Sequence, residues 1–204
     1  MFVETPIVRP RQLIGLLGGS FDPAHAGHIH ISYQAIKRFG LTHVWWLVTP
    51  GNPLKIQEPA PMEQRLREAR NLVRHPRIIV TDIEAKLNST FTAETLQYFR
   101  IHFSHSRFVW LMGADNLVQF HQWQAWTQIM NFFPVGIIAR PGDQISARLS
   151  RAARLYRKFR LSERQSKLLG RSNAPAWCFV NGPMVEHSSS KIRARENRDE
   201  FSYR

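Results

Sequence analysis

Cysteine is nearly absent from this chain. A single thiol, Cys178, in 204 residues excludes an internal disulfide framework and fits a reducing compartment. Long apolar runs are missing as well. Nothing approaches the roughly 20 residues that span a bilayer, and the first residues, MFVETPIVRPRQL, lack the basic-then-apolar order of a secretory leader. A cytoplasmic protein with no membrane partner is expected. Acidic residues are scarce: 15 Asp and Glu stand against 28 Lys and Arg, a formal charge of +13. No Cys or carboxylate sits at ligand spacing beside the closely spaced His25 and His28, which disfavours a zinc site.

What is present suits one globular domain spanning residues 1–204. Apolar residues make up 43% and aromatic residues 11% of the chain, enough for a full core and too much for a disordered polyelectrolyte. The basic excess is local: nine Lys and Arg lie between Arg148 and Arg171, against Glu163 alone. Such a charge suits either a nucleic-acid binder or an enzyme for small polyanions. Within that stretch Leu149, Ala152, Ala153, Tyr156 and Phe159 fall at helical spacing. Residues 148–171 therefore read as a basic helical insert with a solvated arginine face.

Apolar, β-branched runs alternate with helical patterns along the chain. Strands are expected over Leu13–Leu17, His43–Thr49, Arg77–Thr81, Arg107–Met112, Pro134–Ala139 and Trp177–Val180, with helices over Met62–Arg74 and Phe91–His102 among others. Alternation of this kind implies right-handed crossovers and an α/β, Rossmann-like doubly wound fold, its mainly parallel sheet covered by helices on both faces. Ligands of such sheets bind beyond the carboxyl ends of the strands.

The chemistry concentrates in Leu13–Ile36, LIGLLGGSFDPAHAGHIHISYQAI. A buried strand runs into Gly18-Gly19-Ser20, where a tight turn and close backbone approach are available. Asp22-Pro23 then offers helix-start chemistry. His25 and His28 lie one helical turn apart, so both imidazoles can face an anion at a helix N-terminus. Taken alone, the pair also suits two partly exposed surface histidines. After a strand and a glycine turn it points to phosphate.

The string GGSFDPAHAGH closely resembles the His-x-Gly-His signature of the nucleotidyltransferase superfamily, and specifically its nicotinate-mononucleotide adenylyltransferase branch. That resemblance extends to later segments. Pro50–Lys55 resembles the branch's N-P-P-H-K loop with Leu54 in place of histidine, and Met62 and Arg65 match its M-x-x-R helix. Ser89–Leu96 is similar to S-Y-T-x-x-T-L, with Phe91 for tyrosine; Gly113, Asp115 and Trp123 fit a G-x-D pattern followed by tryptophan. His187–Arg193 resembles I-S-S-T-x-I-R, with His187 and Ser190 as the departures. Each segment also has a plain reading: an exposed turn for Lys55, threonine N-caps at Ser89–Leu96, an Asp N-cap at Asp115, a serine-rich surface turn at residues 188–190.

The resemblance implies adenylyl transfer from ATP to nicotinate mononucleotide, giving nicotinate adenine dinucleotide and pyrophosphate in NAD biosynthesis. It assigns catalysis to His25, His28 and Arg193. ATP and its phosphates would meet Gly18, Gly19, Ser20, Phe21, Lys55, Gly113, Asp115, Ser188, Ser189 and Ser190. The mononucleotide would meet Phe91, Thr92, Ala93 and Trp123. Mg2+ is expected on the phosphates, mostly retaining its waters. Residues 185–204 would form a C-terminal phosphate-binding helix region. A transferase acting on a phosphopantetheine or cytidylyl acceptor is the nearest competitor, and a nucleic-acid binder the more distant one. Oligomeric state stays open.

Overall fold

The computed structural model describes residues 5–10, 12–51, 58–139 and 144–182. The chain runs β1 (Leu13–Gly19), α1 (Ala26–Phe39), β2 (His43–Val48), α2 (Met62–Leu72), β3 (Ile78–Thr81), α3 (Ile83–Lys86) and α4 (Thr92–His102). It continues through β4 (Arg107–Gly113), α5 (Ala114–Gln119), α6 (Trp126–Phe132), β5 (Val135–Ala139), α7 (Gln144–Arg148), α8 (Arg151–Leu155), β6 (Arg160–Leu161) and β7 (Trp177–Asn181). The seven strands form one sheet in the order β3-β2-β1-β4-β5-β7-β6, and every pairing in it is parallel. This is the Rossmann-like α/β fold.

Side-chain alternation along the strands divides the core in two. Leu16, Trp45, Trp110, Ile137 and Phe179 face α4, α5, α6 and α8. Leu17, Trp46, Leu111, Ile138 and Val180 face α1 and α2. Trp45, Trp46, Trp110 and Trp177 are all fully buried, and burying each such side chain stabilises the fold by roughly 1.5–3 kcal/mol. Because both faces are covered, the strands are apolar throughout rather than alternating, which is why their sequences read as continuous runs.

Two expectations need correction. Residues 148–171 are not one helix. They hold the end of α7, then α8, a 3₁₀ turn at Arg157–Phe159, the edge strand β6 and a 3₁₀ segment at Glu163–Arg171. Two serines restart the chain. The Ser150 hydroxyl accepts from the Ala153 amide, and Ser162 forms a capping box with Gln165; both serines have extended ψ values, so a continuous helix ends at each. Ala152, Ala153 and Tyr156 are buried, whereas Leu149 and Phe159 are exposed, so the apolar stripe is only half real.

The turn after β1 also begins later than expected. Gly18 and Gly19 belong to the strand. Gly18 is needed for packing: a Cβ there would lie 2.5 Å from the Trp110 ring. The turn falls instead on Phe21, whose φ of +48 is left-handed and costs a non-glycine residue on the order of 1–3 kcal/mol.

Candidate active site

β1 and β4 are neighbours, paired from Leu13↔Arg107 to Leu17↔Leu111. The chain leaves β1 toward α1 on one face and leaves β4 toward α5 on the other. A crevice therefore opens at their carboxyl ends, where doubly wound sheets hold ligands.

His25 is the N-cap of α1, in place of the expected Asp22-Pro23 start. Its Nδ1 accepts from the Gly27 amide at 3.0 Å, and His28 Nδ1 accepts from the His25 amide at 3.2 Å. Two imidazoles thus make the reciprocal capping box that Ser and Glu make elsewhere. The chemical consequence is a fixed tautomer. With each Nδ1 accepting, each neutral ring carries its proton on Nε2 and presents that atom as a donor. The two rings lie 4.0 Å apart, at the positive end of a 14-residue helix.

Aromatic packing holds the pair in place. Phe21 stacks on Trp46 at 4.7 Å and meets the His28 ring at 4.6 Å. Trp46 Nε1 donates to Ser32 Oγ at 2.8 Å, and Ser32 Oγ donates to the His28 carbonyl at 2.9 Å. The strained turn residue is thus the ring on which His28 rests, and it is held between His28 and the stacked Trp46.

Arg65 entered the sequence analysis only as part of the M-x-x-R match. It is 1% exposed. Its guanidinium donates to the carbonyls of Ala60 (2.7 Å), Ser20 (2.7 Å), Thr49 (2.8 Å) and Pro50 (3.2 Å). It therefore ties the turn after β1 to the loop after β2. Burial lowers its pKa, and the charge of Asp22 opposes that shift.

On the neighbouring strand Gly113 is the N-cap of α5. Asp115, expected as a cap in the plain reading, is instead the second residue of that helix. A Cβ on Gly113 would collide with the Asp115 carboxylate, and would lie 3.9 Å from Ile31 of α1. Asp115 is exposed, so its carboxylate folds over Gly113 while staying open to a ligand hydroxyl. Trp123 is half-buried, edge-on to Trp110 at 6.3 Å and to Phe120 at 5.3 Å. The ring of Trp110 thus links Gly18 to Trp123.

No side chain caps α4, whose N-cap is Phe91. The expected threonine cap is absent: Thr92 is the first helical residue, and Thr95 is buried, donating to Ser89 Oγ at 3.1 Å. Beneath this helix start lies Glu84, 4% exposed, a residue the sequence did not single out. Burial raises its pKa to about 7. In sequence it is the last residue of Asp82-Ile83-Glu84 after a strand, and nothing in that pattern marks it as buried. Cys178 is buried, and burial pushes its thiol up to about 11, which removes a thiolate nucleophile at neutral pH. Lys55, Ser188, Ser189, Ser190 and Arg193, together with Leu54 and His187, lie outside the described residues.

A family model described as cytidylyltransferase-like matches residues 16–195. A relative from Ruegeria pomeroyi, named "Probable nicotinate-nucleotide adenylyltransferase", is 59% identical over 189 residues, 93% of this chain and 89% of its own. A relative of the same name from Roseobacter denitrificans is 56% identical over 190 residues, covering 93% of this chain and 96% of its own. Among solved structures, the Plasmodium falciparum nicotinic acid mononucleotide adenylyltransferase complexed with NaAD superposes with a TM-score of 0.65. It is 17% identical and covers 90% of this chain and 83% of that one, a likeness of fold. With its histidine-capped helix at the β1–β4 crevice and these relatives along nearly its whole length, the chain belongs to the cytidylyltransferase-like family, in its nicotinate-nucleotide adenylyltransferase branch.

Proposed function

We infer that this protein transfers the adenylyl group of ATP to nicotinate mononucleotide, making nicotinate adenine dinucleotide and pyrophosphate for NAD biosynthesis. One observation carries the reading: two Nε2-protonated imidazoles sit at the N-terminus of α1, beside the β1–β4 crevice, in a chain 59% identical to a relative of that name. The acceptor's phosphate oxygen attacks the α-phosphorus of ATP. A phosphorus–oxygen bond forms there as the bond to the bridging oxygen breaks, and pyrophosphate leaves.

The nucleophile is supplied by substrate, so no Ser, Cys or Lys attacks. The protein's work is to bring two polyanions together and stabilise charge as it spreads over the transferring group. His25 and His28 donate from Nε2 to phosphate oxygens, helped by the helix dipole. Gly18, Gly19, Ser20 and Phe21 give the ATP phosphates close backbone approach. Asp115 beside Gly113 accepts from ribose hydroxyls. The amides of Phe91, Thr92 and Ala93 and the Trp123 ring receive the pyridine group. Lys55 neutralises a phosphate, while Arg193 with Ser188, Ser189 and Ser190 holds the leaving pyrophosphate.

Magnesium enters with ATP, as part of the substrate. Among the described residues no three His, Cys, Asp or Glu gather to hold a metal, so its ligands would be phosphate oxygens and water. Among the described residues, too, no helix is long and apolar enough to cross a membrane; a cytoplasmic location is proposed with the substrates. We read residues 1–204 as one catalytic domain, with residues 185–204 assigned to phosphate binding. Incubating the protein with ATP, magnesium and candidate acceptors tests the reading. Dinucleotide should form with pyridine mononucleotides and not with phosphopantetheine or a cytidylyl acceptor.

A further inference from the structure

The far edge of the sheet carries a second concave surface. Trp177 and Phe179 lie two apart on β7, so their rings point to the same face, and both are buried. The Trp177 ring is fixed further by its Nε1, which donates to the Tyr156 carbonyl at 2.8 Å. Each ring carries an arginine. The Arg160 guanidinium lies over Trp177 at 5.3 Å from the ring centroid, and that of Arg148 lies over Phe179 at 4.9 Å. An aromatic face holds a guanidinium by its plane and leaves the N–H edge open to an anion. With Arg157, Leu161 and Glu163, these two arginines and Phe179 line an open cleft of about 490 Å³.

Charge in the cleft is one-sided. Glu163 is the one acid among its described lining residues, and both carboxylate oxygens are engaged. Oε1 accepts from Arg38 Nη2, and Oε2 accepts from Asn181 Nδ2 at 3.0 Å. Asn181 Oδ1 in turn accepts from Arg148 at 3.4 Å. Among the described residues no carboxylate pairs with Arg148, Arg157 or Arg160. Counting Arg38, Arg148, Arg157 and Arg160 against Glu163, four minus one leaves +3. Two phosphates at roughly −1.5 each match that charge. The volume falls within the range of about 300–1,000 Å³ typical of small-molecule sites, whereas a nucleic-acid strand needs a basic groove that tracks its backbone.

We propose that this cleft binds an oligophosphate, inorganic pyrophosphate or the diphosphate of a nucleotide, with Arg148, Arg157 and Arg160 donating to its oxygens. It is separate from the crevice proposed for adenylyl transfer: β6 lies three strands beyond β4, about 14 Å across the sheet. Two of the guanidinia are already seated on rigid rings, so less side-chain freedom is lost on binding. Their planar forks suit pairs of phosphate oxygens better than ammonium point charges would.

Isothermal titration of the full chain with inorganic pyrophosphate and with ADP, at physiological salt, tests the site. The adenylyl-transfer crevice would take the same anions, so the quantity read is the binding event that cleft variants lose. Arg148→Lys with Arg160→Lys keeps every charge and removes both planar forks; Arg157→Gln removes one exposed arginine. Each should weaken that event about tenfold or more, with kcat and the KM for ATP unchanged. Arg151→Gln with Arg154→Gln, on α8 and outside the cleft, should leave it intact, because exposed charges beyond about 8 Å are screened at that salt. A preference for ADP supports a nucleotide as the ligand, and equal or weaker ADP binding supports the inorganic anion. Isotherms unchanged in the cleft variants overturn the proposal. So does an equal loss in the α8 variant, which would mean diffuse charge, or binding of a single-stranded oligonucleotide with none of either small anion. Should the Lys pair fail to fold, Arg157→Gln decides. A chain that makes no dinucleotide defeats the transferase reading and leaves this comparison standing.

Discussion

His28 serves structure and chemistry through different atoms. Its Nδ1 closes the cap on α1, and its Nε2 carries the donor proton. Replacing it with alanine should cost about 1 kcal/mol of stability through the lost cap. The same change should cost about 10²–10³ in turnover, roughly 3–4 kcal/mol, through the lost donor. Thermal melting and kcat measured on one preparation of His28→Ala separate the two; normal turnover in the folded variant would remove phosphate from its role. Arg65 is the opposite case, with no atom proposed to touch substrate. Arg65→Met strands four carbonyls, each costing about 1–3 kcal/mol if left unpaired. We expect a large drop in melting temperature and, in whatever folds, a weakened grip of the Lys55 loop on phosphate. A variant as stable as wild type would mean that water replaces the guanidinium without loss.

At the scale of elements, the strands were legible and the joints between them were not. β1, β2, β4, β5 and β7 were readable because burial on both faces leaves runs of Leu, Val, Ile and Trp that no surface segment tolerates. β6 escaped notice because two residues, Arg160 and Leu161, carry no period. The 148–171 segment misled because arginines dominate its composition, while two serines decide its geometry. Ser150→Ala and Ser162→Ala should each cost about 0.5–2 kcal/mol without altering turnover. Reversing Arg151, Arg154 and Arg157 to Glu should reduce nonspecific polyanion binding, again with little effect on turnover at physiological salt. A large loss of activity in the triple variant would place this edge of the sheet in the active site. Phe21 and His25 were legible as residues but not as conformations: a left-handed phenylalanine and an imidazole cap are uncommon solutions that only the stacked Trp46 and the neighbouring amides reveal.

The whole molecule should carry Glu84 as a pH-dependent cost. Its pKa is raised from 4.5 to about 7 in the folded state. Between those values the unfolded chain has released a proton that the folded chain keeps, so this group's contribution lowers stability as pH rises from about 4.5 to 7 and is level above. The total is about 3 kcal/mol, and Glu84→Gln should abolish that slope in chemical denaturation measured across the interval. No sequence pattern announced this, because burial of a carboxyl group depends on what three separate elements place over it. Nicotinate and nicotinamide mononucleotides differ only where a carboxylate replaces a carboxamide. The uncapped start of α4 offers amide donors and a positive dipole end to that group, whereas a carboxamide would set an NH₂ donor against an amide donor, costing about 1–3 kcal/mol. Trp123 would stack on either ring, so Trp123→Ala should weaken both acceptors alike and leave the preference intact. The most direct measurement is kcat/KM for the two mononucleotides at saturating ATP and magnesium. We predict a clear preference for nicotinate mononucleotide, about tenfold or more by that mismatch; equal efficiencies, or a preference for the amide, would contradict it.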